Sequence, residues 1–129
     1  MVMMIAIVFS LQACSVSKHG ATTPDRVVEQ YLLALENKDD NLMLRLVPEQ
    51  SQLNRAIESK ILRIGGHKIQ ARQISYTKSK PTFWNAKIHG TFVDRSGVKR
   101  KFDDSIAIEY QSKRQVKLYG GRWYLSLGN

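Results

Sequence analysis

The sequence has few of the residues that announce chemistry. It holds one cysteine in 129 residues, so no disulfide can form within the chain, and no Cys/His cluster has zinc-site spacing. Its three histidines, His19, His67 and His89, are far apart and none begins an H-x-x-x-H pair, so no metal and no other cofactor is expected. No Ser-His-Asp arrangement, nucleophile elbow or Cys/His pair has supporting context. Internal repeats and low-complexity tracts are absent. The longest apolar run, Val2 to Leu11, is about half of the ~20 residues that a membrane-crossing helix requires. Acidic residues are scarce, 11 against 20 Lys and Arg, and the deficit is local. Residues 1–59 carry five basic and seven acidic side chains, a net of −2, whereas residues 60–129 carry fifteen and four, a net of +11.

What is present describes a globular body. At 43% hydrophobic and 24% charged residues, the composition is neither that of a disordered chain nor that of a membrane-spanning one, and the length suits one domain. Leu11-Gln12-Ala13-Cys14 closes the apolar run and places the cysteine directly after a small residue. Small residues before a cut, after an apolar stretch of this length, are what a signal peptidase accepts. The stretch resembles the lipobox of bacterial lipoproteins, in which the cysteine sulfur receives a diacylglycerol. The plain alternative is an ordinary signal peptide in which Cys14 is a small apolar residue. The resemblance implies a signal peptide over 1–13, a lipidated Cys14 with a polar tether over 14–22, and a folded body over 23–129. Met1 to Met4 carry no Lys or Arg where a signal peptide usually has a basic flank, so either the start lies upstream or the signal is atypical.

The body opens with a helix from about 24 to 37. Thr23 can cap it, Pro24 suits its first turn and Asp25 favours its positive end. Val27, Val28, Tyr31, Leu32 and Leu35 recur at helical spacing along one face. A short helix is expected around Asn41 to Val47, ended by Pro48. A third is expected from Ser51, as cap, to Ile64, with Gly65-Gly66 as its stop. From Lys68 the period changes to two. A first strand runs to Lys78 with a bulge near Arg72-Gln73, and Lys78 to Pro81 reads as a loop. A second strand alternates Trp84, Ala86, Ile88, Gly90 and Phe92 inward. Asp94-Arg95-Ser96-Gly97 turns the chain. A third strand from Val98 keeps Phe102, Ile106, Ile108 and Tyr110 on one parity. It either continues to Tyr119 or breaks near Gln111 to Arg114, and the break is favoured because strands usually stop by about ten residues. Gly120-Gly121 reads as a hairpin before a last strand with Trp123, Leu125 and Leu127 inward. Helices followed by a meander imply an α+β fold, with N-terminal helices packed on a curved antiparallel sheet of four or five strands.

The capped helix from Thr23 to Leu35, the Gly-Gly before Lys68-Ile69, and the closing Gly120 to Leu125 together resemble the nuclear transport factor 2-like (cystatin-like) superfamily, specifically its small bacterial lipoproteins of unknown function. The resemblance covers most of residues 23–127. It implies a cone-shaped roll around the first helix, often with a pocket at the wide end, and enzymes on this fold place acids and bases inside the cone.

Candidate pocket residues follow from parity. Arg100 and Asp104 share the inward side of the third strand with Phe102 and Ile106, about 13 Å apart and so not a direct pair. They also suit the open end of the sheet, where the inward face meets water. Tyr31, Tyr76, Trp84 and Tyr110 can line the same cavity, although buried aromatics are usually core. His89 takes the outward side. A second candidate surface is basic: Lys87, Lys99 and Lys101, with Lys113, Arg114 and Lys117 if the third strand keeps its register. Tyr124 is the one aromatic expected on that face, too few for a nucleic-acid stacking platform. Lysines near an anionic membrane each contribute about 1 kcal/mol.

These readings converge on a lipid-anchored protein of the bacterial envelope, on the outer membrane facing the periplasm in a Gram-negative cell. No catalytic constellation is evident, so a non-enzymatic domain binding a small ligand or partner is expected. The alternatives are an isomerase- or dehydratase-type enzyme using Asp104 as base and a tyrosine as proton donor, and a structural component of an envelope assembly or secretion apparatus. The partners expected are membrane lipid through Cys14, an anionic envelope polymer or lipid, and an unidentified protein. Nucleic acid is disfavoured.

Overall fold

A computed structural model describes residues 19–48, 51–112 and 121–126, with residues 71 and 72 described by their backbone alone. Helix α1 spans Pro24–Glu36. Thr23 is its cap, its hydroxyl accepting from the Arg26 N–H at 3.3 Å, and Val27, Val28, Tyr31, Leu32 and Leu35 are buried as the apolar stripe requires. The helix ends with the Lys38 N–H on the Leu35 carbonyl at 3.1 Å and the Asp39 N–H on the Ala34 carbonyl at 2.8 Å. This double bond pattern places the residue between in the left-handed region, and that residue is Lys38, at φ 54°.

Helix α2 is Asp40–Arg45, capped by Asp39, and Leu46 and Val47 just beyond it are fully buried. Helix α3 is Arg55–Ile64, and its cap falls three residues later than the expected Ser51. The Ser51 N–H instead donates to the Pro48 carbonyl at 2.9 Å. Asn54, as good a cap as serine, accepts from the Ile57 N–H at 3.0 Å. The shift leaves Leu53 packed against the core from the loop. Gly65 ends α3 with no room for a side chain, since a Cβ there would lie 2.1 Å from the Ile61 carbonyl oxygen.

The sheet is a four-stranded antiparallel meander among the described residues, in the order β1-β2-β3-β4. These are Ile69–Lys80, Phe83–Val93, Lys99–Gln111 and Arg122–Ser126. The chain is α+β, a few helices on a curled antiparallel sheet. The expected bulge in β1 is present as a register shift between Gln70 and Gln73. The expected loop from Lys78 shrinks to Pro81-Thr82, because Lys78 pairs with Trp84 and Lys80 with Phe83, extending the ladder until proline removes an N–H. At the β2–β3 hairpin the Asp94 carboxylate accepts from the Ser96 and Val98 N–H groups, at 2.9 and 3.0 Å. Strand β3 stops at Gln111, where the sequence favoured a break. The Gly121 N–H, at φ 82°, donates to the Gln111 carbonyl at 2.6 Å. Residues 113–120, with the alternative continuation to Tyr119, and Leu127 lie outside the described residues.

The core lies between α1 and the concave face of the sheet. Tyr31, Leu32 and Leu35 pack with Ala86, Ile88, Phe102, Ile106, Ile108 and Leu125, and Met43, Ile57, Ile61 and Ile69 close the sides. From His19 to Ala21, the stretch assigned to a tether is fixed to the body. Ala21 and Trp123 exchange N–H···O bonds of 2.8 Å, and the Gly20 N–H donates to the Arg45 carbonyl at 2.7 Å. Arg122 donates to the His19 and Gly20 carbonyls at 2.9 and 3.1 Å.

Lys38 occupies a position where a side chain costs about 1–2 kcal/mol. Lys38→Gly is therefore expected to stabilise the fold by about 1 kcal/mol, and Lys38→Ala to give no such gain. Chemical denaturation of the two variants measures the difference, and equal midpoints would contradict it.

Candidate functional site

Three elements bring their polar groups to one point at the open end of the sheet. Asp104 lies on β3 opposite Ile88, on the inward face as its parity required. Its Oδ2 accepts from the Tyr31 hydroxyl of α1. Its Oδ1 accepts from Lys60 Nζ of α3 at 2.7 Å, and from the Ser105 N–H at 2.8 Å. The Asp104 side chain is 9% exposed and that of Lys60 21%, so the pair is screened from water on most sides without being sealed. Lys60 Nζ also sits 5.9 Å from the centre of the Tyr31 ring, in cation–π range. Burial, then the charge of Asp104 and the hydrogen bond to it, push the Tyr31 hydroxyl well above the ordinary tyrosine value. Tyr31 thus keeps its proton and donates a hydrogen bond to Asp104.

Beside this cluster opens a groove of about 320 Å³. Phe92, Phe102 and Ile64 give it an apolar lining, and Lys60 and Arg63 of α3 give it cations beside the Asp104 carboxylate, while Lys101 and Asp103 border it from β3 with the parity of the opposite face. Asp103 is held by His89, Oδ1 to Nδ1 at 2.6 Å. No carboxylate among the described residues pairs with Arg63 or Lys101. A cavity of this size with an apolar lining and cations of α3 beside it suits a small amphiphilic anion.

The other sequence candidates disperse. Arg100 does not line the groove: its side chain is 61% exposed, and its Nε donates to Asp94 Oδ2 at 2.6 Å. It lies on the inward side two residues beyond Phe102, where the sheet has run past its helices and that side meets water. The guanidinium and two backbone N–H groups hold the Asp94 carboxyl below its usual range. Tyr76, Trp84 and Tyr110 do not share the Asp104 cavity either. With Trp123 they form a separate aromatic cluster near the opposite end of the inward face. Its ring centres are 5.7 Å apart for Tyr76–Trp84 and 5.3 Å for both Trp84–Trp123 and Tyr110–Trp123. The Tyr76 hydroxyl donates to Asp25 and is pushed up in pKa by burial and by that bond.

Lys87, Lys99 and Lys101 do take the outward parity, paired with Ser105, Val93 and Thr91, and His89 is outward as expected. Asp103 interrupts the lysines, so the face is mixed in charge. Tyr124 has the outward parity but is 1% exposed. The Gly20 backbone covers it so closely that a Cβ on Gly20 would lie 2.7 Å from the Tyr124 ring. Cys14, Lys113, Arg114 and Lys117 lie outside the described residues. Among the described residues no group of three or more His, Cys, Asp or Glu could hold a metal, and no helix is long and apolar enough to cross a membrane.

Sequence reasoning missed Lys60 and Arg63. Lys60 shares the buried face of α3 with Ile57, Ile61 and Ile64, at spacings of three, one and four. A cation in an apolar stripe points to a buried acid, and that signal was available.

No known family profile matches the chain, and no curated protein matches it in sequence. Among solved structures it is similar in fold to a SEC-C motif containing protein from Psychrobacter arcticus, with a TM-score of 0.59 and 11% identity. The alignment covers 82% of this chain and 59% of that one, so this chain spans less than two thirds of its neighbour's length. The likeness is one of fold.

A tyrosine whose folded pKa is raised stabilises the protein fully below the unfolded value of about 10 and loses that contribution as pH rises above it. Stability is therefore expected to fall from about pH 10 upward, with a shallower decline in Tyr31→Phe. Thermal midpoints between pH 8 and 11 give the two slopes, and parallel curves would count against the assignment.

Proposed function

We propose that this chain is a bacterial envelope lipoprotein, anchored through Cys14, with a nuclear transport factor 2-like domain that binds a small anionic ligand without transforming it. The observation that carries the binding reading is the groove beside Asp104, where Arg63 joins Lys60 beside an apolar lining of Phe92, Phe102 and Ile64. A carboxylate or phosphate would meet the two cations while an apolar body lies against the rings. The engaged state of Asp104 supports a binding role over a catalytic one. Both of its oxygens are occupied, one by Tyr31 and the other by Lys60 and Ser105, so its first task is to hold α1 and α3 to the sheet.

A second reading has a specific observation in its favour. A carboxylate, a hydroxyl and an ammonium converge at the edge of a cavity, as an isomerase or dehydratase with Asp104 as base and Tyr31 as donor would need. In that case Lys60 must release Asp104 when substrate enters. The third reading, an envelope assembly component, rests on the outward lysines Lys87, Lys99 and Lys101, which could meet an anionic envelope polymer, lipid or protein.

The ligand reading is tested with 1-anilinonaphthalene-8-sulfonate, an aromatic anion of the right class. Its affinity is expected to fall about tenfold in Arg63→Gln, the loss of roughly 1.4 kcal/mol of charge-assisted contact. Equal binding by both proteins would sink it. Anchoring is tested by growing cells with a labelled fatty acid, where the chain takes up label and Cys14→Ser does not. Label that persists in the variant removes the anchor from the proposal.

A further inference from the structure

We infer that the outer edge of β1 is a strand-addition site for an extended segment of a partner polypeptide, one carrying basic side chains on either side of an apolar one. The inference is independent of the groove and concerns a different edge of the sheet.

The ladder identifies which backbone groups are available. The Tyr110 N–H donates to the Thr82 carbonyl, so the even-numbered residues of β3 bond to β2 and their partners Trp84, Ala86 and Ile88 bond back. The odd-numbered residues of β2 are left for β1, and they pair with Gln73, Ser75 and Thr77. Ile74, Tyr76 and Lys78 therefore direct their N–H and C=O groups away from the sheet. The same alternation, continued across the bulge, turns the Ile69 N–H outward, and there it donates to Glu36 Oε1 at 3.2 Å. Among the described residues nothing bonds to the edge at Ile74, Tyr76 or Lys78, and Ile74 is 39% exposed. The bulge at one end and Lys80 with Pro81 at the other, the usual guards of an edge, confine the usable stretch, Ile74 to Lys78, to about five residues.

Helix α1 supplies the chemistry. Asp25, Glu29 and Glu36 lie on one flank of the helix by their spacing of four and seven, and that flank runs along the β1 edge. Asp25 receives the Tyr76 hydroxyl, Glu36 receives the Ile69 N–H, and the charge of Glu29 acts on Tyr76. In a protein of net +9, this is a local inversion of sign. A strand added to the edge would present alternate side chains to α1, where a cation meets Asp25 and Glu29 and an apolar group covers Ile74. Its other side chains would meet Gln73, Ser75 and Thr77, which are polar and uncharged. A second copy fits less well, because antiparallel self-pairing places the α1 carboxylates of both copies on the same side of the joined strands.

The test uses the intact chain and a synthetic peptide of about seven residues, with lysine at its second and sixth positions, valine at the fourth and serine or threonine elsewhere. At saturating peptide, amide hydrogen exchange is expected to slow about tenfold or more at Ile74, Tyr76 and Lys78, with little change at Gln73, Ser75 and Thr77. Ile74→Pro removes an outward N–H and no ladder donor, and is expected to weaken binding about tenfold. Glu29→Gln, a surface change that leaves the fold intact, is expected to weaken the lysine peptide several-fold while leaving a glutamine-for-lysine peptide unaffected. Unchanged exchange at the three amides overturns the site, as does a glutamate-for-lysine peptide that binds equally well. Sedimentation that shows a dimer with the same amides protected in the absence of peptide assigns the edge to a second copy and overturns the partner.

Discussion

A carboxylate on the inward face of a sheet, facing the otherwise apolar stripe of a helix, constrains everything around it. Asp104 lies two residues from Phe102 and two from Ile106, both nearly fully buried. An isolated charge there would cost several kcal/mol. The fold meets that cost from two directions. α1 contributes the Tyr31 hydroxyl, and α3 contributes the Lys60 ammonium. Two helices from different parts of the chain are thereby tied to one strand position. The apolar stripe of α1 would tolerate sliding along the concave face, whereas a hydrogen bond at its middle fixes the register. The same requirement explains why α3 lies against the sheet opening and leaves a groove beside it.

The sheet treats its two edges differently. At β4 the incoming chain from His19 to Ala21 supplies N–H and C=O partners, Arg122 binds the carbonyls behind it, and the Leu125 N–H reaches the Leu46 carbonyl. That edge is closed by the protein's own backbone. At β1 the closure is partial, a bulge at one end and Lys80 with Pro81 at the other. A meander necessarily leaves its first and last strands unpaired, and here the two ends have been resolved by different means.

Much of this was legible from residue order. The α1 stripe, the glycine stops, the β1 bulge and the inward parity of Asp104 are local patterns, and local patterns survive in a sequence. Ser51 misled because two good caps, Ser51 and Asn54, stand three residues apart, and only the packing of Leu53, Ile57 and Ile61 chooses between them. Arg100 and Asp104 share a parity, and parity carries no information on where along a strand the covering helices end. Tyr124 was placed on the outward side, which is correct, but its cover comes from a segment 104 residues earlier. The Tyr31–Asp104–Lys60 cluster joins residues 73 and 44 positions apart, and distance of that kind is written in the sequence only as oddities: an acid among inward apolar residues and a lysine within an apolar helix face.

The fixed position of His19 has a mechanical consequence. Five peptide units separate it from Cys14, and covalent geometry limits their span to about 18 Å. On the proposed anchoring, the body could neither drift far from the bilayer nor tumble freely above it. Its first point of attachment to the fold is the β4 side, so that side would trail closest to the lipid, and the β2–β3 hairpin, at the other end of β3, would be free to point away from it. A short leash of this kind restricts which partners can be reached, and it makes the choice of binding surface partly a question of height above a membrane.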